Sequence, residues 1–289
     1  MKERELSLGY SPCPNDTAIF YALVHGKVHA GGPSLRISFK EELEDVEALN
    51  RKGLNGVLDI TKISFYAYCQ MRDNYVLLRS GAALGNGCGP LLVGREAIDP
   101  KDLRGKKVAI PGGLTTANLL FMLYGNSLGW PSGEGNIVPM LFSDIMPAVK
   151  EGRADAGLVI HEGRFTFESY GLHRLLDLGQ WWEEVSGLPI PLGGIAAKRS
   201  LGADTVEAVQ SAVRESIRYT LDRPREAMGY IRGHAQEMED SVINSHIGLY
   251  VNNHTLWLNE GGGHAIEELF SRAQRAGLAK PSEAPLFIS

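Results

Sequence analysis

The stretch ELSLGYSPCPNDTAIFYALVHG (residues 5–26) decides the fold class of this chain. In it, a short apolar run passes through a small-residue or polar turn into a stretch with helical periodicity. The same order begins again at GVLDIT (56–61), KKVAIP (106–111) and ADAGLVI (154–160). Strands that alternate with helices predict an α/β protein with largely parallel sheets. Ligands of such sheets bind beyond the carboxyl ends of the strands, so the four turns are candidate walls of one site.

The first turn is unusually constrained. Pro12 and Pro14 fix their own φ and hold the preceding residues extended, so we expect the helix to begin only between Asn15 and Thr17. Asn15, Asp16 and Thr17 all favour the N-cap position. The turn is therefore either a rigid helix cap or a structure that presents a helix N-terminus to a small ligand. In the second case Asn15 and Asp16 are candidates for ligand contact.

Two similar runs, GPLLVGR (89–95) and GGIAAKR (193–199), predict a pair of strands that cross between two lobes. Two lobes also suit a chain of 289 residues. We expect one lobe from residues 1–95 and 196–289, which includes C-terminal helices, and a smaller lobe from residues 96–195. The predicted architecture is thus α/β and two-lobed.

Composition excludes several classes of protein. The chain is 44% apolar and 22% charged, which is typical of a globular protein. Its net charge of −5 and the lack of a dense Lys/Arg run argue against a nucleic-acid partner. No window approaches the roughly 18 apolar residues of a membrane helix, and the N-terminus does not resemble a secretory signal. Three cysteines without a CxxC pair favour reduced thiols, so we expect a cytoplasmic protein with no membrane partner.

The segment LVIHEGRF (158–165) supplies the candidate base. His161 directly follows a buried-looking strand, where a neutral imidazole can accept a proton near pH 7; the alternative is a structural histidine at a strand end. Glu162 points to the other side if the strand continues. A zinc-binding HExxH motif would need histidine at position 165, where Phe165 stands, and no Cys/His cluster is visible, so no metal site is predicted.

Two other turns carry candidate ligand contacts. In PGGLTTA (111–117), Gly112 and Gly113 permit a close approach of the backbone to a ligand, and the following threonines lie at a helix start. The turn is therefore either an anion cradle or an ordinary βα turn. It is not a phosphate-binding P-loop, because the lysine and spacing are absent. In TKIS (61–64), Lys62 pairs with a ligand carboxylate or is an ordinary surface lysine.

Beyond Arg199 the apolar spacing becomes helical. We expect these helices to pack on the first lobe and to brace the hinge. Four histidines fall in this region, and we assign them surface or structural roles: His234, His246, His254 and His264.

Taken together, the motifs closely resemble one family over nearly the whole chain. They are SPCPNDTAIFYALVHGKV, TKISFYAY, LRSGAALGNGCGPL, GGLTTA, LVIHEGRFTF and LDLGQWWEEVSGLPIPLGGI. The family is that of the 1,4-dihydroxy-6-naphthoate synthases of the futalosine route to menaquinone. The resemblance implies the fold of type 2 periplasmic binding proteins. It also implies a lyase that splits cyclic dehypoxanthine futalosine, a carboxylated small molecule, into 1,4-dihydroxy-6-naphthoate and dihydroxyacetone, without a metal or organic cofactor.

The resemblance also assigns site residues. It implies that His161 is the proton acceptor and that the substrate contacts are Lys62, Ile63, Ser64, Thr116 and Ala117. Two alternatives stay open. A solute-binding protein would share the fold, and so would chorismate dehydratase, the sister enzyme of the same pathway. The SPCPNDT turn and the histidine of VIHE favour the synthase.

Overall fold

The computed structural model of the chain describes residues 2–32, 35–130, 136–235 and 239–288. Within them, two mixed sheets are surrounded by helices. The first sheet has seven strands: β1 (Lys2–Tyr10), β2 (Ala30–Gly32), β3 (Leu35–Leu43), β4 (Ile60–Ser64), β5 (Tyr75–Leu77), β6 (Ala83–Gly85) and β12 (Ile190–Lys198). Their order is β2-β3-β1-β4-β12-β5, and β6 pairs with β12. We call the part built on this sheet the first lobe.

The second sheet has five strands within the described residues: β7 (Leu91–Gly94), β8 (Lys107–Ile110), β9 (Asn136–Pro139), β10 (Ala156–Val159) and β11 (His173–Asp177). Their order is β11-β7-β10-β8-β9, and this part is the second lobe. The chain passes from the first sheet to the second through residues 86–90 and returns through 187–189. The two-lobed α/β prediction is confirmed.

Only part of each sheet is parallel. Strand β1 runs parallel to β3 and β4, and β8 runs parallel to β9 and β10. The strands that arrive from the other lobe run the opposite way, since β12 is antiparallel to β4 and β7 is antiparallel to β10. A strand that enters a sheet from the other lobe is not joined to its neighbour by a crossover helix, so it need not run parallel to that neighbour.

The helices cover both sheets. They are α1 (Pro14–Val24), α2 (Val46–Leu54), α3 (Phe65–Met71), α4 (Thr116–Ser127), α5 (Phe142–Lys150), α6 (Gly163–Thr166), α7 (Leu178–Ser186), α8 (Ala203–Asp222), α9 (Pro224–His234), α10 (Asp240–Tyr250), α11 (Asn253–Leu256) and α12 (Glu260–Arg275). Helices α8, α9 and α10 pack on α1 in the first lobe, whereas α12 contacts both β12 and α4. No helix among the described residues is both long and apolar enough to span a membrane.

Helix α1 begins earlier than the sequence suggested. Its first residue is Pro14, and its N-cap is Cys13, which is extended at φ −64° and ψ 150°. Proline suits the first helical position because the N–H that it lacks would have no helical partner there. Asn15 and Asp16 therefore lie inside the first turn, and their side chains are available for other contacts.

One apolar cluster joins the two lobes. Buried Ile63 and Phe65 of the first lobe belong to the same cluster as Leu92 and Leu158 of the second. The largest side chain in this cluster, Trp182, is fully buried on α7 and donates a hydrogen bond from Nε1 to the Pro189 carbonyl at 3.2 Å. This shared packing positions the edges of the two sheets that line the cleft described next.

Candidate active site

A cleft lies between the two sheets, where several strands end and several helices begin. Its cavity volume is about 90 Å³. The candidate base and all the candidate contact side chains line it: Asn15, Asp16, Lys62, Ile63, Ser64, Thr116, Ala117 and His161. Gly112, Gly113 and Glu162 are not among its lining residues. The topology thus brings four turns that are distant in sequence to one place, as expected for the carboxyl ends of strands.

An ion pair lies in the wall of the cleft. Lys62 Nζ is 2.7 Å from Asp16 Oδ1, and the two side chains are only 7% and 3% exposed. Lys62 also donates to the Gly81 carbonyl at 3.1 Å. The other carboxylate oxygen of Asp16 accepts from the Ser11 hydroxyl at 2.7 Å and from the Ser11 N–H at 3.3 Å. Lys62 is therefore not a surface lysine, and its charge is already balanced within the protein.

Asn15 connects this pair to a histidine that the sequence analysis had assigned to a structural or surface role. Its amide Nδ2 donates to Asp16 Oδ1 at 2.8 Å, and its Oδ1 lies 2.9 Å from Nε2 of His246. His246 is on α10 and is fully buried. Its burial excludes the surface role and leaves the structural one. Helical spacing cannot show which part of the chain an inward-facing histidine meets.

His161 follows β10 in a conformation that is rare for its residue type. Among the described residues it is the only non-glycine with positive φ, at 52°. Such a conformation is uncommon outside glycine and usually carries strain that the surrounding structure sustains. The centroids of the His161 and Phe142 rings are 5.2 Å apart. The His161 ring also stacks on the His246 ring, with centroids 6.0 Å apart and an angle of 9° between the ring planes.

The surroundings keep the His161 imidazole neutral. Burial lowers its pKa from 6.5 to about 4; the Asp16 carboxylate opposes this shift, and the Lys62 ammonium adds to it. Burial also holds the pKa of His246 well below its usual value, with further lowering from His161 and Lys62. Both imidazoles are therefore uncharged near pH 7, the state in which a ring nitrogen can accept a proton.

Glu162 lies beside His161 rather than on the opposite side. Strand β10 ends at Val159, so the alternation of a continuing strand does not apply. The carboxyl of Glu162, the Cys13 thiol and a ring nitrogen of His161 have donor atoms within 4.8 Å of one another. The expectation that no Cys/His cluster exists was thus wrong, because distant turns supply it. The trio offers one ligand fewer than a closed tetrahedral zinc site, and burial raises the pKa of the Cys13 thiol, which disfavours the thiolate that binds metals.

The glycine turn before α4 holds an anion of the protein itself. Gly112 has φ 151°, and a Cβ built there would lie 2.4 Å from Oε2 of Glu47. The Leu114 N–H donates to the same oxygen at 3.0 Å. Glu47 belongs to α2 of the first lobe, so this contact joins the lobes. Gly112 permits the close approach of Glu47, a contact that neither of the two alternatives left open by the sequence had included.

The hydroxyls at the cleft also make structural bonds. Thr116 donates from Oγ1 to the Leu192 carbonyl at 2.6 Å and accepts from the Tyr66 N–H at 3.3 Å. Ser64 Oγ accepts from Asn50 Nδ2 at 3.1 Å. The Thr116 contacts fix the start of α4 against β12 and α3. Because the Thr116 hydroxyl already donates its hydrogen to Leu192, it can only accept a hydrogen bond from a ligand.

Helix N-termini converge on the cleft. Helices α1, α3 and α4 begin at Pro14, Phe65 and Thr116, and each has a first-turn or N-cap residue in the cleft wall. The first N–H groups of a helix have no helical partner, and the aligned peptide dipoles make that end positive. Because the charge of Lys62 is already balanced, these helix ends are the main feature that favours an anionic ligand.

Several cleft residues were not found from the sequence. Cys88, Leu192 and Tyr250 all line the cavity. Tyr250 and His246 are four positions apart on α10, so they lie on one face of the helix, and this spacing is the signal that could have linked them. Burial raises the pKa of Cys88 to about 12 and raises that of Tyr250 further, so neither side chain is ionised near pH 7.

Comparisons with known proteins identify the family of the chain. A family model described as menaquinone biosynthesis matches residues 6–275. The 1,4-dihydroxy-6-naphthoate synthase of Thermus thermophilus is 49% identical over 98% of this chain and 99% of its own length. The synthase of the same name from Streptomyces coelicolor is 48% identical over 96% of each chain.

Solved structures give the same picture of the fold. A protein from Archaeoglobus fulgidus has a TM-score of 0.86 and 36% identity over 95% of this chain and 98% of its own. The periplasmic aliphatic sulphonate binding protein of Escherichia coli has a TM-score of 0.66 at 13% identity over 98% of this chain and 90% of its own, which shows the shared periplasmic-binding-protein fold alone. From the family model and the two synthases, the chain belongs to the menaquinone-biosynthesis enzyme family of the 1,4-dihydroxy-6-naphthoate synthases.

Proposed function

We propose that this chain is a carbon–carbon lyase that converts cyclic dehypoxanthine futalosine into 1,4-dihydroxy-6-naphthoate and dihydroxyacetone, with His161 as general base. The observation that carries the proposal is a neutral imidazole in the wall of an interlobe cleft, in a chain about as long as the synthases that it resembles. A base near pH 7 must be unprotonated and must reach the substrate. The lowered pKa of His161 and its place in the cleft wall support this role.

The reaction suits a site of this kind. His161 takes a proton from a sugar hydroxyl, the oxygen forms a carbonyl, and the adjacent carbon–carbon bond breaks in a retro-aldol step. The electron pair of that bond passes into the carboxylated ring system, whose aromatisation makes the step favourable. A positioned base, an anchor for the ring carboxylate and exclusion of water are sufficient, and closure of two lobes over the substrate supplies the last of these.

Charge in the cleft supports the same roles. As His161 becomes an imidazolium, the Asp16 carboxylate stabilises its positive charge, although Lys62 opposes this effect. The start of α4, at Thr116 and Ala117, anchors the substrate carboxylate through helix N–H groups. At the start of α3 the Ser64 N–H already donates to Asn50 Oδ1, so Ser64 contributes its hydroxyl instead. In this arrangement Lys62 and Ile63 shape the cleft wall next to the substrate, with Lys62 held by Asp16.

The direct test is turnover of cyclic dehypoxanthine futalosine by the purified protein, followed through the absorbance of the naphthoate product. The variant His161→Asn removes the base, and asparagine tolerates the positive φ of this position better than alanine does. A positioned base contributes about 10² to 10⁴ in rate, so we expect kcat to fall by that factor while substrate still binds. The exposed His173→Asn is the matched control and keeps the wild-type rate.

Two results would contradict the proposal. Turnover by His161→Asn within a few-fold of wild type would exclude His161 as the base. Dehydration of chorismate by the wild-type protein, without turnover of the futalosine compound, would assign the cleft to the sister reaction. Tight binding of a small carboxylate with turnover of neither compound would indicate a solute-binding role.

A further inference from the structure

His246 lies behind the cleft wall and touches three of the groups that form it. The side chain is fully buried on α10 and is not itself a lining residue. Its ring stacks on His161, bonds Asn15 and packs against Tyr250 with the ring centroids 4.7 Å apart. All three of these neighbours line the cleft. A polar ring in such a place is either a filler of the core or a support for the groups in front of it.

The hydrogen bonds determine which nitrogen of His246 carries the proton. The Asp16 carboxylate is paired with Lys62 and can only accept, so the amide group that faces it must be Nδ2 of Asn15, at 2.8 Å. The amide oxygen of Asn15 then faces His246 Nε2 at 2.9 Å. An oxygen accepts, so Nε2 must carry the hydrogen. The network thus assigns the Nε2–H tautomer to a neutral His246.

The second ring nitrogen points toward the other lobe. Among the described residues, His246 Nδ1 has no hydrogen-bond partner although it is buried. Glu162 Oε2 lies 4.0 Å from it, about 1 Å beyond hydrogen-bond length. Buried ring nitrogens are nearly always bonded, so packing alone does not account for a histidine here. A leucine or phenylalanine would fill the same space without this unsatisfied group.

We propose that His246 is a positioning residue: its Nε2–H holds the Asn15 amide, which together with Lys62 fixes the Asp16 carboxylate beside His161. Without that hydrogen the amide of Asn15 can turn over and present its oxygen to Asp16, which repels the carboxylate. Displacement of a catalytic group by about 1 Å can cost about 10²-fold in rate. The inference rests on the proposed function for its kinetic effect, but the tautomer follows from the hydrogen bonds alone.

The kinetic test compares two replacements of His246. The amide nitrogen of glutamine reaches the place of the imidazole Nε2, so His246→Gln keeps a donor to Asn15, whereas His246→Phe keeps a ring without any donor. We expect kcat to fall about 10- to 100-fold in His246→Phe, with KM within about three-fold, and to stay within a few-fold of wild type in His246→Gln. The half-buried His254→Phe is the control and keeps the wild-type kcat.

A double variant separates positioning from packing. If His246 acts through Asn15, adding His246→Phe to Asn15→Leu lowers kcat no further than Asn15→Leu alone, because Asn15→Leu has already removed the hydrogen bond between the two residues. Multiplicative losses in the double variant would overturn the proposal. So would a kcat of His246→Phe within a few-fold of wild type, or equal losses in the phenylalanine and glutamine variants.

A measurement without turnover keeps the inference separate from the proposed function. The ¹⁵N shifts of the His246 ring in the whole protein report its tautomer, and we expect Nε2–H in the wild type. An Nδ1–H tautomer overturns the inference even if the lyase is active. An Nε2–H tautomer in a protein that does not turn over the futalosine compound overturns the proposed function and supports the hydrogen-bond assignment.

Discussion

The buried pair of Asp16 and Lys62 gives the sharpest prediction about stability. Asp16→Asn keeps the shape of the side chain and removes its charge. Among the partners that the structure gives Lys62, only neutral oxygens then remain, such as the Gly81 carbonyl, in a place where its side chain is 7% exposed. Breaking a buried ion pair by removing one partner typically costs about 3–5 kcal/mol, because the remaining charge is uncompensated. We expect Asp16→Asn to lower the free energy of unfolding by about that amount.

The opposite replacement should cost less. Lys62→Met keeps most of the apolar stem, and Asp16 still accepts bonds from the Ser11 N–H, the Ser11 hydroxyl and Asn15 Nδ2. Since three of its four donors remain, we expect a loss of only about 1–3 kcal/mol. The double variant leaves neither charge, so its loss should be smaller than the sum of the two single losses by at least about 1 kcal/mol.

The assay is urea unfolding at pH 7, followed by tryptophan fluorescence. Glu151→Gln is the control, because the pair of Glu151 with Arg153 is more than half exposed and should contribute less than about 1 kcal/mol. A loss below about 1 kcal/mol for Asp16→Asn, or a larger loss for Lys62→Met than for Asp16→Asn, would refute the reasoning. If the losses in free energy of unfolding add up in the double variant, the two side chains contribute to stability independently.

Three further predictions concern the cleft and the thiols. A base acts in its neutral form, and burial lowers the pKa of His161 to about 4. The wild-type kcat/KM should therefore stay constant down to about pH 5 and fall with a midpoint near pH 4. A midpoint near pH 6.5 would contradict a buried environment for this imidazole. Thr116→Val breaks the hydrogen bonds to Leu192 and Tyr66, so it should lower the free energy of unfolding by about 1–3 kcal/mol. If the hydroxyl also binds substrate, the KM should rise. An unchanged urea midpoint and an unchanged KM would exclude both the structural and the substrate-binding role. The three cysteines are buried, and burial raises their thiol pKa values, so a disulfide reagent at pH 8 should label none rapidly in the native protein and all three after unfolding; one fast thiol would show that the cleft admits the reagent.

The sequence by itself determined the alternation of strands and helices and the turns that form the cleft. Both follow from local rules. Apolar spacing distinguishes a strand from a helix, and ligands of α/β folds bind beyond the carboxyl ends of the strands. For this reason Lys62, Thr116 and His161 could be placed in one cleft before their distances were known. The family motifs added the roles that local physics left open.

Only the tertiary structure decided which partners these residues have. From the sequence, Lys62 was either a partner of a ligand carboxylate or a surface lysine, but the structure pairs it with buried Asp16. The glycine turn was either an anion cradle or an ordinary βα turn, and it holds Glu47. His246 comes from the C-terminal helices and reaches the cleft wall through Asn15. Such contacts join segments far apart in the chain, and each depends on packing to within an ångström. Periodicity shows which face of a helix is buried, but not which charge or hydrogen-bonding group that face will meet.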